Sequence, residues 1–108
     1  MELYYGNKLG ITAITKEILD KNKAEMADVD GVVEYIREIK EVEVSCLLKE
    51  NAEGTKVSLR SKNDIDVAAV SLKYKGGGHA KAAGFDIGEN MENTKMIILK
   101  EFKEYFDK

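Results

Sequence analysis

The segment Lys75-Gly76-Gly77-Gly78-His79 is the feature of this sequence best suited to chemistry. Three consecutive glycines lose much backbone entropy on folding and bury no side chain, so their presence needs a reason. Glycines allow successive amides to point into one concavity and form an anion nest, with His79 donating at its rim. The alternative is a helix-ending turn with glycine in the left-handed position, but one glycine would serve there. The spacing matches neither a Walker loop nor a dinucleotide-binding fingerprint.

A second candidate is the alternating run from Thr55 to Lys62, which predicts a strand. Period two places the polar residues on one face, and these are Lys56, Ser58, Arg60 and Lys62. Such a face can bind phosphate, although a solvated sheet face has the same pattern. Arg60 favours function, because its planar guanidinium lies mid-strand between hydroxyls and can make paired bonds to a phosphate or a base edge.

The charge distribution points to the same region. The whole chain has a formal net charge of −3, yet residues 56–81 hold six basic and two acidic side chains. This window is therefore +4 within a remainder of −7. Because phosphates are bound through clustered Lys and Arg, we expect an anionic ligand to bind there.

Length and composition restrict the class of protein. At 108 residues, 44% apolar and 34% charged, the chain corresponds to one folded domain. No apolar run approaches the roughly 18 residues of a membrane helix, and the amino end lacks the pattern of a signal peptide. We therefore expect a cytoplasmic protein with no membrane partner.

The remaining reactive side chains predict no catalytic centre. Cys46 is the single cysteine and His79 the single histidine, which excludes an internal disulfide and a zinc site made by this chain alone. Cys46 alternates with valines and leucines and is predicted to be a core residue. The carboxylates are scattered. A lone histidine lacks a partner for catalysis, so the favoured role of His79 is to donate a hydrogen bond to a phosphate.

The hydrophobic pattern predicts an α+β fold in one domain, with a mixed sheet of about five strands covered by helices. Two hairpins are expected, one from residues 2–13 and one pairing 41–49 with 55–61, and a short strand over 84–87. Four helices are predicted: Thr15 to about Asn22, from Asp28 or Asp30 to about Lys40, from an Asn63 or Asp64 cap to near Tyr74, and residues 90–106. The last helix should face inward through Met91, Ile98, Phe102, Tyr105 and Phe106.

Three segments together resemble a known family. They are Ser58-Leu59-Arg60-Ser61-Lys62, Ile65-Asp66-Val67-Ala68-Ala69 and Gly76-Gly77-Gly78-His79-Ala80-Lys81-Ala82-Ala83-Gly84-Phe85. In order and spacing they resemble the DHH-associated carboxyl-terminal domain of the DHH phosphoesterases. The likeness is nearest the branch of the oligoribonuclease and the adenosine bisphosphate phosphatases, and it makes residues 1–108 that domain.

The resemblance implies a division of labour. An amino-terminal DHH domain, absent from this chain, would hold manganese through Asp and His clusters and hydrolyse phosphoesters. The present domain would close over the cleft and hold the substrate. The resemblance assigns phosphate binding to Gly76, Gly77, Gly78 and His79, and nucleotide contact to Arg60 with help from Ser58 and Lys62. Lys75 departs from the pattern, since many members have a further glycine there.

These implications predict a domain that binds a nucleotide or short RNA, binds no cofactor and is inactive alone, cut from or homologous to a manganese-dependent phosphoesterase. Short RNA, adenosine 3′,5′-bisphosphate and cyclic dinucleotides all remain possible ligands. Two other functions stay open. A related domain ends some alanyl-tRNA synthetases, where it serves RNA binding and assembly, and the chain can also be a free-standing regulatory module for a phosphorylated ligand.

Overall fold

The computed structural model describes residues 2–15 and 42–106, which form six strands and two helices of an α+β fold. The strands are β1 (Glu2–Tyr4), β2 (Leu9–Ile14), β3 (Val44–Asn51), β4 (Gly54–Ser61), β5 (Gly77–His79) and β6 (Ala82–Ile87). The helices are α1 (Val67–Leu72) and α2 (Met91–Phe106). The helices predicted over 15–22 and from Asp28 or Asp30 to Lys40 lie outside the described residues.

The strands form one mixed sheet in the order β1-β2-β3-β4-β6-β5. Strands β2 and β3 are parallel, and every other neighbouring pair is antiparallel. Both predicted hairpins are confirmed, as β1–β2 and β3–β4. The sheet has one strand more than the predicted five, because the glycine segment 77–79 pairs with β6 instead of forming a loop.

The core lies between one face of the sheet and the two helices. Ile11, Cys46 and Leu59 form a buried row across β2, β3 and β4. Val67 and Val70 of α1 and Ile98 and Phe102 of α2 belong to the same cluster. The predicted core position of Cys46 is confirmed, and burial raises the pKa of its thiol well above the usual range.

Helix α1 starts later than its sequence predicts. Asp66 is its N-cap, and Oδ1 of Asp66 accepts hydrogen bonds from the amides of Ala68 at 2.9 Å and Ala69 at 3.3 Å. The predicted cap at Asn63 or Asp64 is wrong, because Asp66 supplies the side-chain oxygen that the first free amides need. The helix ends at Leu72, close to the predicted end.

Helix α2 confirms the predicted terminal helix, but one of its five residues predicted to face inward, Tyr105, is exposed. Ile98 and Phe102 are fully buried, and Met91 and Phe106 pack against the core. Tyr105 is 37% exposed, because it lies at the flank of the stripe and only touches the Phe102 ring at a centroid distance of 5.8 Å. Within the described ranges, no helix has the length and apolar character needed to span a membrane.

Candidate functional site

Arg60 and His79 belong to one row of the sheet. Arg60 pairs with Ala82 of β6, and Ala82 pairs with His79 of β5. Residues directly opposite each other project to the same face, so the methyl group of Ala82 lies between the two side chains. Two strand spacings put Arg60 and His79 about 10 Å apart along the row. The structure therefore brings the two predicted candidate segments together.

A second row lies next to the first and consists of Ser58, Gly84 and Gly77. The two rows are two residues apart along each strand, or about 7 Å. Their members make a surface that we call the glycine face: Ser58, Arg60, Gly77, His79, Ala82 and Gly84. Exposure increases from Ser58, which is 8% exposed, to the exposed His79 at the edge, so the face is open toward β5.

The three glycines have different roles. A Cβ on Gly76 would lie 2.2 Å from the Gly84 carbonyl oxygen, and a Cβ on Gly78, whose φ is +134°, would lie 2.5 Å from the Ala82 carbonyl oxygen. The fold therefore requires glycine at both positions. Gly77 has no positive φ, and a Cβ there would have no heavy atom of the described residues within 4 Å. The fold itself gives no reason for glycine at position 77.

The left-handed residue at the end of α1 is Lys75, whose φ is +64°. Its amide donates to the Leu72 carbonyl at 3.2 Å, and the amide of Gly76 donates to the Ser71 carbonyl at 2.9 Å. These are the two bonds of a Schellman motif. Because the Gly76 amide is used in this motif and residues 77–79 form β5, the predicted nest of three glycine amides is wrong. An edge strand with an open face takes its place.

The turn between β5 and β6 is held from two sides. The Ala80 carbonyl accepts the Val67 amide at 2.9 Å, and the Lys81 carbonyl accepts the Ser61 amide at 2.9 Å. The turn is thus fixed to the start of α1 and to the end of β4. These two bonds keep His79 in register with Arg60.

Arg60 is half-buried, and its Nη1 donates to the Leu59 carbonyl at 3.0 Å. A guanidinium has five N–H donors in a planar fork, which suits it to bind an anion while it is held by the protein. Lys62 lies beyond the end of β4, and its amide donates to the Glu43 carbonyl at 2.7 Å. This bond continues the β3–β4 pairing by one residue beyond Ser61.

Ser45 extends the Arg60 row onto β3. It is 1% exposed, and its Oγ has no hydrogen-bond partner among residues 2–15 and 42–106. An unpaired buried hydroxyl costs free energy, so the fold leaves a polar group unsatisfied beside Arg60. Three residues of these rows were not predicted from the sequence: Ser45, and Ala82 and Gly84, which alternate with the buried Ala83 and Phe85 along β6.

Tyr74 fixes the approach to β5. Its ring stacks on Phe85 with a centroid distance of 4.7 Å, and its hydroxyl donates to Oε1 of Glu101 at 2.7 Å. Burial, together with this bond, raises the pKa of Tyr74 to about 12. Burial alone would raise the pKa of Glu101, but the bonds from Tyr74 and Lys73 outweigh it and hold that pKa below its ordinary value. Nothing in the sequence joins positions 74 and 101, so this contact was not predicted.

Other parts of the described chain offer no second site of this kind. Within residues 2–15 and 42–106, no three His, Cys, Asp or Glu side chains group to hold a metal ion. The resemblance implies manganese in the partner domain, and the described residues of this chain do not form a set of ligands that fits it. A cavity of about 310 Å³ lies at the other end of the sheet, lined by Asn51, Glu53, Asp86, Ile87 and Gly88. Its carboxylates disfavour phosphate.

Comparison with known proteins gives relatives that are longer than this chain. The bifunctional oligoribonuclease and PAP phosphatase NrnA of Thermus thermophilus is 35% identical over 78 residues, which is 71% of this chain and 24% of NrnA. An exopolyphosphatase-related protein from Bacteroides fragilis aligns with a TM-score of 0.86 and 28% identity, over 99% of this chain and 33% of that protein.

The fold also recurs in the pGpG-specific phosphodiesterase PggH of Vibrio cholerae, with a TM-score of 0.60 and 14% identity over 95% of this chain and 34% of that protein. The chain thus spans about a quarter to a third of the length of these relatives. The family model of the DHHA1 domain matches residues 9–108. The chain therefore belongs to the DHHA1 domain family, the DHH-associated carboxyl-terminal domain of the DHH phosphoesterases.

Proposed function

We propose that this chain is the substrate-binding domain of a DHH-family phosphoesterase that acts on short oligoribonucleotides or nucleoside bisphosphates. A phosphate of the ligand lies beside Gly77 on the glycine face, within reach of the Arg60 guanidinium and the His79 ring. The observation that carries the proposal is the Arg60–Ala82–His79 row beside an open Gly77.

The absence of a side chain at Gly77 supports a ligand that approaches the backbone closely. Gly76 and Gly78 are explained by contacts inside the fold, whereas Gly77 faces open space. A phosphate is anionic, and the donors that the glycine face offers it are the Arg60 guanidinium and the His79 imidazole. Charge-assisted bonds from such donors are about twice as strong as neutral ones.

The proposed ligand class, short oligoribonucleotides or nucleoside bisphosphates, is taken from the relative NrnA. NrnA is named as an oligoribonuclease and PAP phosphatase, and it shares 35% identity with this chain. The Ser58 hydroxyl, in the second row, would offer a polar contact to a sugar or base beside the phosphate. Lys62, at the end of β4, would contribute charge from outside the glycine face.

Hydrolysis would belong to a separate DHH domain that precedes this one in the parent protein. That domain would supply the manganese ions and the catalytic groups, and this domain would close over its cleft. We therefore expect the chain alone to bind nucleotides without cleaving them. With a nucleotide ligand and no membrane partner, the protein would act in the cytoplasm.

The test is a matched pair of glycine substitutions. Gly77→Ala adds one methyl group at the proposed phosphate position, and Gly88→Ala adds one away from the glycine face, where the nearest atom is 3.9 Å from the new Cβ. Binding of a diribonucleotide is measured by calorimetry or NMR. Gly77→Ala should weaken binding by about tenfold, or 1.4 kcal/mol, whereas Gly88→Ala should bind like the wild type. Wild-type affinity of Gly77→Ala would contradict the proposed site.

A further inference from the structure

Two lysines follow helix α1, and they differ in their surroundings. Nζ of Lys73 makes an ion pair with Oε2 of Glu101 at 3.1 Å. Lys75 is exposed, and no ion pair or hydrogen bond of its side chain occurs in the described part of the chain. Of this pair, Lys75 is the cation that is available to a ligand.

The backbone at Lys75 is in the left-handed conformation that glycine adopts without penalty and lysine does not. The C′ position of a Schellman motif is usually glycine. This chain has glycine at position 77, where neither φ nor a neighbouring atom requires it, and lysine at position 75, where glycine would fit best. Folding alone explains neither choice, and strained backbone of this kind is often found at functional sites.

Lys75 is close to the proposed phosphate position. Two residues of chain span at most about 7 Å, so the Lys75 and Gly77 backbones lie within that distance. The flexible four-carbon stem of a lysine lets its ammonium reach a group held at Gly77. His79 lies two residues beyond Gly77 on the other side. A ligand over Gly77 would therefore have Lys75 at one end and the Arg60–His79 row at the other.

We propose that Lys75 binds a second anionic group of the ligand, a terminal phosphate monoester, and so makes the site prefer phosphorylated short oligonucleotides over unphosphorylated ones. This inference rests on the proposed function of the glycine face. It makes Lys75 a specificity-determining residue, because the internal phosphate is held by Arg60 and His79 in the space beside Gly77.

The test compares the dinucleotide ApA with 5′-phosphorylated pApA on the full chain. Lys75→Asn removes the charge but retains a residue that tolerates the left-handed conformation. Lys75→Arg retains the charge. Lys73→Gln is the matched control, because it removes the neighbouring charge that Glu101 already neutralises.

Wild type and Lys75→Arg should bind pApA about fivefold more tightly than ApA, as a partly exposed ion pair provides. Lys75→Asn should bind both ligands equally, at the wild-type ApA affinity, and Lys73→Gln should retain the preference. The slope of log K against log salt for pApA should fall by about 0.7 in Lys75→Asn.

An unchanged preference in Lys75→Asn would overturn the role of Lys75 while leaving the glycine face intact. Binding of neither dinucleotide to the wild type would overturn the proposed function, and the role of Lys75 with it. A wild type that binds ApA and pApA equally, with loss of both in Gly77→Ala, would overturn the role of Lys75 alone.

Discussion

Arg60 and His79 lie on the same face of the sheet, in one row, with Ala82 between them. The two residues come from different hairpins, and β6 joins those hairpins by pairing with β4 on one side and β5 on the other. The hydrogen bonds of the Ala80–Lys81 turn fix this register. The site thus depends on a strand of three residues, two of which are glycine.

Arg60→Ala should weaken dinucleotide binding by roughly 1.5–3 kcal/mol, because it removes a charge-assisted contact to phosphate. Isothermal calorimetry measures the effect. Lys56→Ala is the matched control. Lys56 lies on the same face of β4 as Arg60, but at the far end of the strand, opposite Asp86 of β6. An equal loss in both variants would indicate a general charge effect instead of a site.

The double variant Arg60→Ala/His79→Ala tests whether the row holds one ligand. Residues that contact the same phosphate should couple, so the double variant should lose less than the sum of the single losses. Independent contacts would add to within about 0.5 kcal/mol. Additive losses would show that Arg60 and His79 do not contact the same phosphate.

Gly76→Ala and Gly77→Ala should have opposite effects on stability. The new Cβ at position 76 would meet the Gly84 carbonyl at 2.2 Å, so the free energy of unfolding should fall by about 3 kcal/mol. At position 77 the space is open, and reduced entropy of the unfolded chain should raise that free energy by about 0.5 kcal/mol. Urea unfolding of both variants measures the difference. Equal destabilisation would show that Gly77 is also structural.

Lys75→Gly should raise the free energy of unfolding by about 0.5–1 kcal/mol, since relief of the left-handed strain exceeds the added entropy of the unfolded chain. Lys73→Gly is the control. Lys73 has right-handed backbone and an ion pair with Glu101, so its replacement should lower stability. A lower stability in Lys75→Gly would mean that the lysine side chain stabilises the fold.

Stability should fall in strong alkali through Tyr74. The pKa of Tyr74 is raised in the folded state from about 10 to about 12, so its contribution is complete below pH 10 and is lost as pH rises toward 12. Tyr74→Phe should lack this loss, and Tyr105→Phe, which changes an exposed tyrosine, should retain it. Urea midpoints between pH 9 and 12 provide the measurement. Identical profiles for wild type and Tyr74→Phe would contradict the role of the Glu101 contact.

The free energy of unfolding should also fall in acid because of Glu101, whose pKa is shifted in the opposite direction to that of Tyr74. Its folded pKa lies below the ordinary value of 4.5, so its contribution is present above that value and is lost as pH falls through the folded pKa. Glu101→Gln should flatten the acid limb of the stability profile. An acid limb as steep as that of the wild type would assign the loss to other carboxylates.

Alternation was a reliable guide where strands bury apolar side chains. Val44, Cys46 and Leu48 alternate because one face of β3 packs on the core, and the pairing with β4 followed from the short polar turn. The sequence pattern also predicted that Arg60 and the glycine segment lie close together, because a strand, a helix and a returning strand bring both to the same part of the sheet.

The details that failed are those decided by tertiary contacts. Glycine has little strand propensity, and β5 exists only because β6 lies beside it, so the segment looked like a loop. Three aspartate and asparagine residues compete to cap α1, and Asp66 is selected because the Val67 amide already bonds to Ala80. Lys75 in the left-handed position runs against local preference, so no single-residue rule predicts it.

An amide NMR titration of the full chain with pApA will show whether one ligand lies on the glycine face. We expect concerted shifts at Arg60, Gly77, His79 and Ala82, with one common dissociation constant, and unchanged signals at Asn51 and Glu53 beside the cavity at the far end of the sheet. Shifts confined to β4 alone, or centred on Asn51 and Glu53, would contradict it.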